Sequence, residues 1–400
     1  MKSRYIISEV PGFRSRTIYQ DQTISAFLAG VPENETHADV VFEKGHGSIL
    51  MDVDSNCFID CANTLNLPFG HEPNKDLECP VINSSNYMTL PRYRLINTLK
   101  DILPQFSGFQ FRSSGTESVE ASLRYIRACF PGRLKLISLE GCYHGLTLAA
   151  QQIMGFSKSD NLMMLSFPDS ESIGDLHSIL KSELEAGPVV VVFESVQGNF
   201  VRALPKQFLE LLMELKQKYN EKLLLFCDDM LISIRKGNWT SLPDYFKPDL
   251  WVGGKSWSGG YPFSFFGISQ KVREMAGDIL GTTTYGGNPV ACQAVWSTIK
   301  RVENEKIFDK IADDESFIKE ECLASWQANP NVLRAECYGL LFGIEMNDLD
   351  EAIEAGLAMF REGLICARIN KVLRFSPALN ISRDLLHDTV SVISILLEEL

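Results

Sequence analysis

Residues 188–227 read PVVVVFESVQGNFVRALPKQFLELLMELKQKYNEKLLLFC, and this stretch decides the fold class of the chain. It begins and ends with apolar runs, PVVVVF and KLLLFC, whose lack of polar alternation is typical of strands buried on both faces. A strand, a helix and a second buried strand predict a parallel βαβ unit. The apolar face of the predicted helix consists, at helical spacing, of Phe208, Leu211, Leu212, Leu215 and Tyr219.

The alternation of strand and helix continues on both sides of this unit. Residues 41–61 predict a β-hairpin, and short apolar runs predict strands at Leu134–Leu139, Leu250–Val252 and Phe265–Ile268. We therefore predict an α/β fold, in which a large domain carries a mostly parallel sheet flanked by helices and a smaller domain is α+β.

The pattern changes after Asn288-Pro289. A helix is predicted from about residue 290 to 304, a glycine-punctuated strand at YGLLFGIEM (338–346) and a terminal helix at RDLLHDTVSVISILLEEL (383–400). We place the large domain at residues 51–290 and the small C-terminal domain at 291–400. Residues 1–50 are expected to form an N-terminal arm that packs with the small domain.

The composition narrows the possible functions. The net charge is -13 and no basic run is present, so nucleic acid is not expected as a partner. No apolar run is long enough to cross a bilayer, and the N-terminus resembles no secretion signal, so we expect a cytoplasmic protein without a membrane partner. The ten cysteines form no Cys-x-x-Cys pair and the six histidines form no HExxH motif, so we expect reduced thiols and no metal.

Three predicted strands end in residues that carry chemistry. Glu194 follows PVVVVF, Asp228 and Asp229 follow KLLLFC, and Lys255 follows two glycines after DLWV. Ligands of a parallel sheet bind at the carboxyl ends of its strands, where an amine can be desolvated and become nucleophilic. The alternative is a surface lysine in a loop.

A second alternative for Lys255 is the end of a phosphate-binding P-loop. Gly254-Lys255-Ser256 has the required order of residues, but the motif needs glycine at position 249, where this chain has Asp249. The intervening LWVG is an apolar strand, so we reject the interpretation of this chain as a nucleoside triphosphatase.

Two further segments could contact a cofactor. Ser114 and Glu117 have capping-box spacing at the start of a predicted helix, whose N–H groups could also bind a phosphate. Gly141-Cys142-Tyr143-His144-Gly145 follows a strand, and its aromatic ring could stack on a planar cofactor or belong to the core.

Taken in order, the segments resemble the class III, fold type I, pyridoxal-phosphate (PLP) aminotransferases. The resemblance covers about residues 40–385. The matching segments are SSGTESVEASLRYIRA (113–128), LEGCYHG (139–145), VVVVFESVQGN (189–199), LLLFCDDMLISIR (223–235), GGKSWSGGYPFS (253–264), TTTYGGNPVAC (282–292), YGLLFGIE (338–345) and VLRFSPALNIS (372–382).

The resemblance implies a role for each matching residue. Lys255 would form a Schiff base with PLP and then act as the acid and base that moves the proton. Asp228 would pair with the pyridinium nitrogen, which makes the ring an electron sink. Tyr143 would stack on one face of the ring, and Met230 would lie on the other. His144 and Glu194 are expected to belong to the same cofactor site.

The resemblance also implies how the phosphate and the substrate are bound. Gly115 and Thr116 would hold the phosphate, with Ser114 as a weaker candidate. Thr284 would reach the phosphate of the neighbouring subunit, which implies a homodimer with shared active sites. Arg374 lies where related enzymes bind a substrate carboxylate, and the alternative for it is a solvated arginine at a strand end.

The chain departs from the family pattern at two positions. Asn199 stands where many ω-aminotransferases have a glutamate that pairs with the carboxylate-binding arginine, and Leu231 stands where glutamine is common. Both departures resemble the glutamate-1-semialdehyde aminomutase subgroup, whereas TYGGNP and LRFSPALNI resemble true aminotransferases.

The function we predict is amino-group transfer between an amino donor and a keto acid, ketone or aldehyde, in a biosynthetic role. The alternative within the same cofactor chemistry is an isomerase, either an aminomutase of the glutamate-1-semialdehyde type or an amino-acid racemase. A catalytically silent relative that acts as a binding protein is a third possibility, which the presence of both Lys255 and Asp228 disfavours.

Overall fold

The computed structural model describes residues 4–19, 40–72, 87–132, 134–157, 159–277, 279, 281 and 283–399. Its strands are β1 Phe42–His46, β2 Ile49–Asp52, β3 Cys57–Asp60, β4 Gly108–Arg112, β5 Lys135–Leu139, β6 Leu162–Leu165, β7 Val189–Phe193, β8 Val196–Gln197, β9 Arg202–Ala203, β10 Leu223–Asp228, β11 Leu250–Gly254, β12 Ser264–Ile268, β13 Val332–Tyr338, β14 Leu341–Met346, β15 Leu364–Ile365, β16 Ala367–Ile369 and β17 Val372–Phe375.

The α-helices are Phe13–Tyr19, Leu90–Ile102, Gly115–Cys129, Leu148–Ile153, Ile173–Ala186, Lys206–Lys218, Gln270–Ala276, Pro289–Asn304, Ile307–Ile318, Ala324–Ala328, Leu349–Arg361 and Arg383–Glu399. Short 3₁₀ turns lie at Asn63–Leu65, Ser233–Lys236 and Lys255–Trp257, and a π-helical turn lies at Lys319–Leu323.

The chain divides into two compact units. The first contains Met1–Pro73, Arg235–Gly237 and Lys306–Leu400, and the second contains Asn74–Ile234 and Asn238–Glu305, in each case over their described residues. These limits differ from the predicted ones at residues 50 and 290. The difference at the second limit arises because the helix Pro289–Asn304 belongs wholly to the second unit.

The second unit is built on a seven-stranded sheet in the order β4-β12-β11-β10-β7-β5-β6. The predicted βαβ unit is confirmed, because β7 pairs in parallel with β10 and the helix Lys206–Lys218 connects them. Only β12 runs antiparallel to its neighbours β4 and β11. The α/β fold with a mostly parallel sheet flanked by helices is therefore confirmed.

The two strands that decide the fold lie at the centre of the core. Every residue of β7 and β10 is buried, as their unbroken apolar sequences predict. Their side chains on one face pack with the helix Gly115–Cys129 in an apolar cluster that includes Val190, Val192, Leu224 and Phe226. The sheet therefore has a rigid centre from which its strand ends project.

The first unit contains two four-stranded sheets. The predicted hairpin at residues 41–61 is a three-stranded antiparallel arrangement of β1, β2 and β3, to which β15 adds in parallel. The other sheet has the antiparallel order β13-β14-β17-β16. The predicted strand at residues 338–346 is β14 at Leu341–Met346, paired with β13, which the sequence reading did not identify.

The N-terminal segment is anchored to the turn between β2 and β3. Asn56 Oδ1 accepts hydrogen bonds from the N–H groups of Ile7 (3.0 Å) and Ser8 (2.9 Å). Asp54 accepts from the N–H groups of Arg14 (2.8 Å) and Ser15 (2.9 Å). These bonds hold the described part of the predicted arm within the first unit. Residues 1–3 and 20–39 of that arm lie outside the described residues.

Arg235 is a fully buried cation held by main-chain carbonyls. Its guanidinium donates to the oxygens of Thr64 (2.6 Å), Pro377 (2.6 Å) and Leu340 (3.4 Å). Burial, followed by the nearby charge of Arg374, lowers the pKa of Arg235 to about 9. One side chain thus joins three segments of the first unit that are far apart in sequence.

Replacing Arg235 with alanine is therefore expected to destabilise the first unit. Three buried carbonyls would lose a hydrogen bond, although Thr64 O would still accept from Leu67 N (3.2 Å). We expect a loss of about 2 kcal/mol or more in the free energy of unfolding, since each unsatisfied buried group costs about 1–3 kcal/mol. Arg361→Ala, at an exposed position of the same unit, serves as the control in urea denaturation. Equal and small losses in both variants would contradict this account.

Candidate active site

Four neighbouring parallel strands bring polar side chains to one edge of the sheet. Strands β11, β10, β7 and β5 lie side by side in the sheet in this order. Glu194 follows β7, Asp228 is the last residue of β10, and Lys255 follows β11. The loop after β5 contributes Tyr143 and His144. These five residues therefore lie in one region, because parallel strands end at the same edge.

His144 and Asp228 form a buried ion pair in this region. His144 Nδ1 lies 2.9 Å from Asp228 Oδ2, and almost nothing of either side chain is exposed. Burial lowers the pKa of His144, but the hydrogen bond and charge of Asp228, together with the Cys142 side chain, outweigh burial and raise the pKa to about 10. The imidazole is therefore protonated at neutral pH and donates to the carboxylate.

The adjacent acid, Asp229, has a different environment. Its Oδ2 accepts hydrogen bonds from the N–H of Ser241 (2.8 Å) and from Trp251 Nε1 (2.8 Å). Asp229 therefore holds buried neighbours in place by hydrogen bonds, whereas Asp228 faces His144. Position at the strand end did not distinguish the two acids, whereas the family resemblance had selected Asp228.

Glu194 is a second buried carboxylate at this edge. It accepts hydrogen bonds from the N–H groups of Tyr143 (2.9 Å) and Gly198 (3.1 Å). Burial raises the pKa of Glu194 to about 7; the charge of His144 opposes this rise and that of Asp228 adds to it. The side chain thus connects the loops that follow β5 and β7.

The predicted capping box begins the helix Gly115–Cys129. Ser114 Oγ accepts from Glu117 N (3.4 Å), and Glu117 Oε2 accepts from the N–H groups of Ser113 and Ser114 (2.9 Å each). Gly115 and Thr116 are then the first two helical residues, whose N–H groups no helical carbonyl can accept. This end of the helix is suited to an anion, while the Ser114 hydroxyl is used in the cap.

The loop after His144 packs closely against this helix end. Gly145 has a φ of +109°, and a Cβ there would overlap Thr116 Oγ1. Thr116 Oγ1 lies 3.1 Å from Thr147 Oγ1 and 3.3 Å from Thr147 N. Sequence reasoning missed Thr147, because its contact depends on an approach of two segments that only glycine permits.

Met230 lies between the helix end and the lysine strand. A Cβ on Gly115 or on Gly254 would overlap the end of the Met230 side chain. The next residue, Leu231, is buried and packs over Gly198, where a Cβ would lie 2.8 Å from Leu231 Cδ1. Gly115 and Gly254 therefore leave room for the apolar side chain of Met230 beside Lys255.

Lys255 is half-buried and has an unusual backbone conformation. It begins a 3₁₀ turn directly after β11, and its φ of +46° lies in the left-handed region. Because left-handed backbone is costly for a residue with a Cβ, the surrounding structure must hold this conformation.

The other predicted site residues are more dispersed. Tyr143 is 39% exposed, and burial followed by the charge of Asp228 raises its pKa. Asn199 is half-buried and Thr284 is exposed, both in the second unit. Arg374 is 7% exposed and lies on β17 of the first unit. Its role as a carboxylate ligand stays a prediction.

Sequence reasoning also missed a pair of polar residues behind Tyr143. Gln197 Oε1 accepts from Arg202 Nε (3.1 Å) and Nη2 (2.8 Å), and Gln197 Nε2 donates to Glu140 O (2.7 Å). One signal for Gln197 was available, since it lies within the segment VVVVFESVQGN and follows a strand end by four residues.

Three general features of the described part of the chain bear on the function. None of its helices is both long and apolar enough to pass through a bilayer. No group of three or more His, Cys, Asp or Glu side chains within these residues could hold a metal ion. The nine cysteines among them are free thiols.

Solved structures share this fold. An aminotransferase from Bacillus anthracis superposes with a TM-score of 0.84 at 20% identity, covering 96% of this chain and 99% of that one. The taurine:2-oxoglutarate aminotransferase of Bifidobacterium kashiwanohense, solved with PLP and glutamate, superposes with a TM-score of 0.83 at 18% identity over 96% and 98% of the two chains. At these identities the likeness concerns the fold.

The sequence profile of "Aminotransferase class-III" matches residues 31–397. The chain therefore belongs to the class-III aminotransferase family. It is an enzyme that uses pyridoxal phosphate and acts on an amino donor and a carbonyl acceptor.

Curated relatives include both transferases and isomerases. The acetylornithine aminotransferase of Archaeoglobus fulgidus is 28% identical over 336 residues, which is 80% of this chain and 85% of that protein. A glutamate-1-semialdehyde 2,1-aminomutase of Legionella pneumophila is 28% identical over 77% of each chain. The isoleucine 2-epimerase of Lentilactobacillus buchneri is 24% identical over 89% of each chain.

The buried ion pair predicts a specific pH dependence of stability. Because the pKa of His144 is raised from 6.5 to about 10 in the folded chain, its stabilising contribution is complete below pH 6.5 and is lost as the pH rises through about 10. The difference in unfolding free energy between wild type and His144→Gln should therefore be largest near pH 6 and shrink towards pH 10. A difference that does not change with pH would mean that His144 is neutral in the fold.

Proposed function

We propose that the chain transfers an amino group between an amino donor and a keto acid, ketone or aldehyde, with Lys255 as the residue that binds PLP covalently. The observation that carries this proposal is the position of Lys255 at the end of β11, beside the end of β10 that presents Asp228 to His144. A lysine at a strand end adjacent to one that carries a buried acid and a protonated imidazole is suited to nucleophilic and proton-transfer chemistry.

The residues at the strand ends fit PLP in three respects. Asp228 offers a buried carboxylate, held in place by His144, that suits a protonated ring nitrogen. Gly115 and Thr116 open a helix whose positive end suits the phosphate. Glycines at positions 115 and 145 let Met230 and the loop after β5 pack closely against this helix end, where they can border the cofactor. When bound, PLP supplies an electron sink for the substrate's bonding electrons.

The side chains around the ring have separate tasks in this proposal. Tyr143 would stack on one face of the ring and Met230 would pack on the other, with Glu194 in the same site. Lys255 would take up the proton from the substrate's Cα and release it on the far side of the amino nitrogen, acting first as general base and then as general acid. Asp228 keeps the ring nitrogen protonated.

Further parts of the site involve substrate and partner subunit. Arg374 would bind a substrate carboxylate, and Asn199 would border the substrate without forming a carboxylate latch to an arginine. Thr284 is exposed, as a residue that serves another chain would be. We propose that it contacts the phosphate in the neighbouring subunit of a homodimer with shared active sites. A cytoplasmic location and a biosynthetic role are consistent with this chemistry.

An isomerase is the second candidate. Leu231 and Asn199 resemble the aminomutase subgroup, and relatives named as an aminomutase and an epimerase match this chain over 77% and 89% of its length. Aminomutases and epimerases leave the amine on one carbon skeleton. An aminotransferase differs from both because it needs an amino acceptor.

The first test combines the site of attachment with the type of reaction. We expect borohydride to fix PLP to the peptide that contains Lys255, and Lys255→Ala to bind PLP without fixation, since no other described amine directly follows one of these strands. Amino transfer should require an added keto acid, ketone or aldehyde. Fixation to another lysine would contradict the site, and turnover without an acceptor would favour the isomerase.

Arg374 provides a test of substrate class. Arg374→Ala should impair amino acids and keto acids by about 100-fold or more in kcat/KM relative to matched amines and ketones, because only a carboxylate loses a bidentate charged partner. Arg368→Ala, on the adjacent strand β16, is the control. An equal loss for both members of a matched pair would show that Arg374 is structural.

A further inference from the structure

The loop that carries Tyr143 and His144 has little regular structure of its own. It connects β5 to the helix Leu148–Ile153 and contains two glycines in the left-handed region, Gly141 (φ +83°) and Gly145 (φ +109°). Its conformation must therefore be fixed by contacts with other segments.

Two buried side chains of the loop after β7 supply such contacts. Glu194 Oε2 accepts from Tyr143 N (2.9 Å) while Glu194 Oε1 accepts from Gly198 N (3.1 Å). Gln197 Nε2 donates to Glu140 O (2.7 Å) and to Cys142 Sγ (3.4 Å). The loop is thus held at residues 140, 142 and 143 by two neighbouring side chains.

The orientation of the Gln197 amide is itself fixed. Its oxygen accepts two hydrogen bonds from Arg202, whose guanidinium lies 4.1 Å from the centre of the Phe167 ring. Because Arg202 can only donate, the amide must direct its NH₂ group towards Glu140 O. Gln197 is fully buried, so no water competes for these bonds.

The Tyr143 side chain, in contrast, is not enclosed by its surroundings. It is 39% exposed, so core packing does not determine where its ring lies. Its backbone is held by Glu194 on one side, and the next residue, His144, is held by Asp228 at 2.9 Å on the other. The position of the ring therefore depends on these backbone and neighbour contacts.

Holding a carboxylate in this place is costly. Burial raises the pKa of Glu194 to about 7, and the negative charge of Asp228 acts in the same direction. A glutamine would avoid the cost of a buried charge, but its NH₂ group would face one of the two N–H donors. A carboxylate, unlike an amide of the same size, can accept hydrogen bonds from both loops at once.

We infer that Glu194 and Gln197 are positioning residues that hold Tyr143 against the cofactor ring, and that Glu194 couples this position to the segment Gly198-Asn199 at the substrate. The inference rests on the proposed function in two respects, the assignment of Tyr143 to the ring face and that of Asn199 to the substrate. Neither residue needs to touch a reacting atom.

The test is a double-mutant cycle on the PLP dissociation constant, measured by absorbance titration of the full-length apoenzyme. Glu194→Gln should weaken PLP binding about tenfold, as should Tyr143→Ala, because each removes the stacked ring from its place. The double variant should be no weaker than Tyr143→Ala alone. Glu140→Gln is the matched control, since the Glu140 side chain is exposed and only its carbonyl is used; it should bind PLP as wild type does.

Gln197→Met provides a second route to the same result if Glu194→Gln does not fold. It removes the bond to Glu140 O with little change in volume, and its effect should likewise vanish in the Tyr143→Ala background. Additive losses in both cycles, or unchanged binding in Glu194→Gln and Gln197→Met while Tyr143→Ala binds weakly, would overturn this inference alone. Unchanged binding in Tyr143→Ala would overturn the assignment of Tyr143 and the inference with it.

Discussion

The hydrogen-bonded ion pair between His144 and Asp228 is the interaction on which the rest of the site depends. It joins residues 84 positions apart in sequence, in a place where neither charge has access to water. An isolated charge there would be costly, so each group is acceptable mainly because the other is present. The pair also fixes the relative positions of the loop after β5 and the end of β10, across β7, which lies between them in the sheet. Chemistry and stability are therefore linked in one contact.

The arrangement separates the tasks of two adjacent acids. Asp228 faces the region of the proposed cofactor, while Asp229 accepts two hydrogen bonds from the structure behind it. Alternating direction along a strand makes this division possible, because neighbouring side chains point to opposite faces. A strand end can thus present one charge to a ligand and use the next to hold itself in place.

Much of the fold followed from the sequence, since its central strands are apolar throughout and its helices are strongly periodic. Strands β4 and β6 lie at the two edges of the sheet and were missed. Polar residues interrupt the apolar ones in β4, GFQFR, and β6, LMML, is only four residues long. Within the site, strand-end logic located Glu194, Asp228 and Lys255. The bonds of Glu194, Gln197 and Thr147 could not be foreseen, because they depend on how closely two loops approach one another in space.

The left-handed backbone of Lys255 lowers the stability of the folded chain at a residue proposed to carry the chemistry. A left-handed lysine stores conformational strain that glycine would relieve and asparagine would tolerate better. Replacing Lys255 with either residue would relieve this strain but would remove the amine that is proposed to hold the cofactor. Stability and the proposed activity therefore place opposite demands on this single backbone torsion.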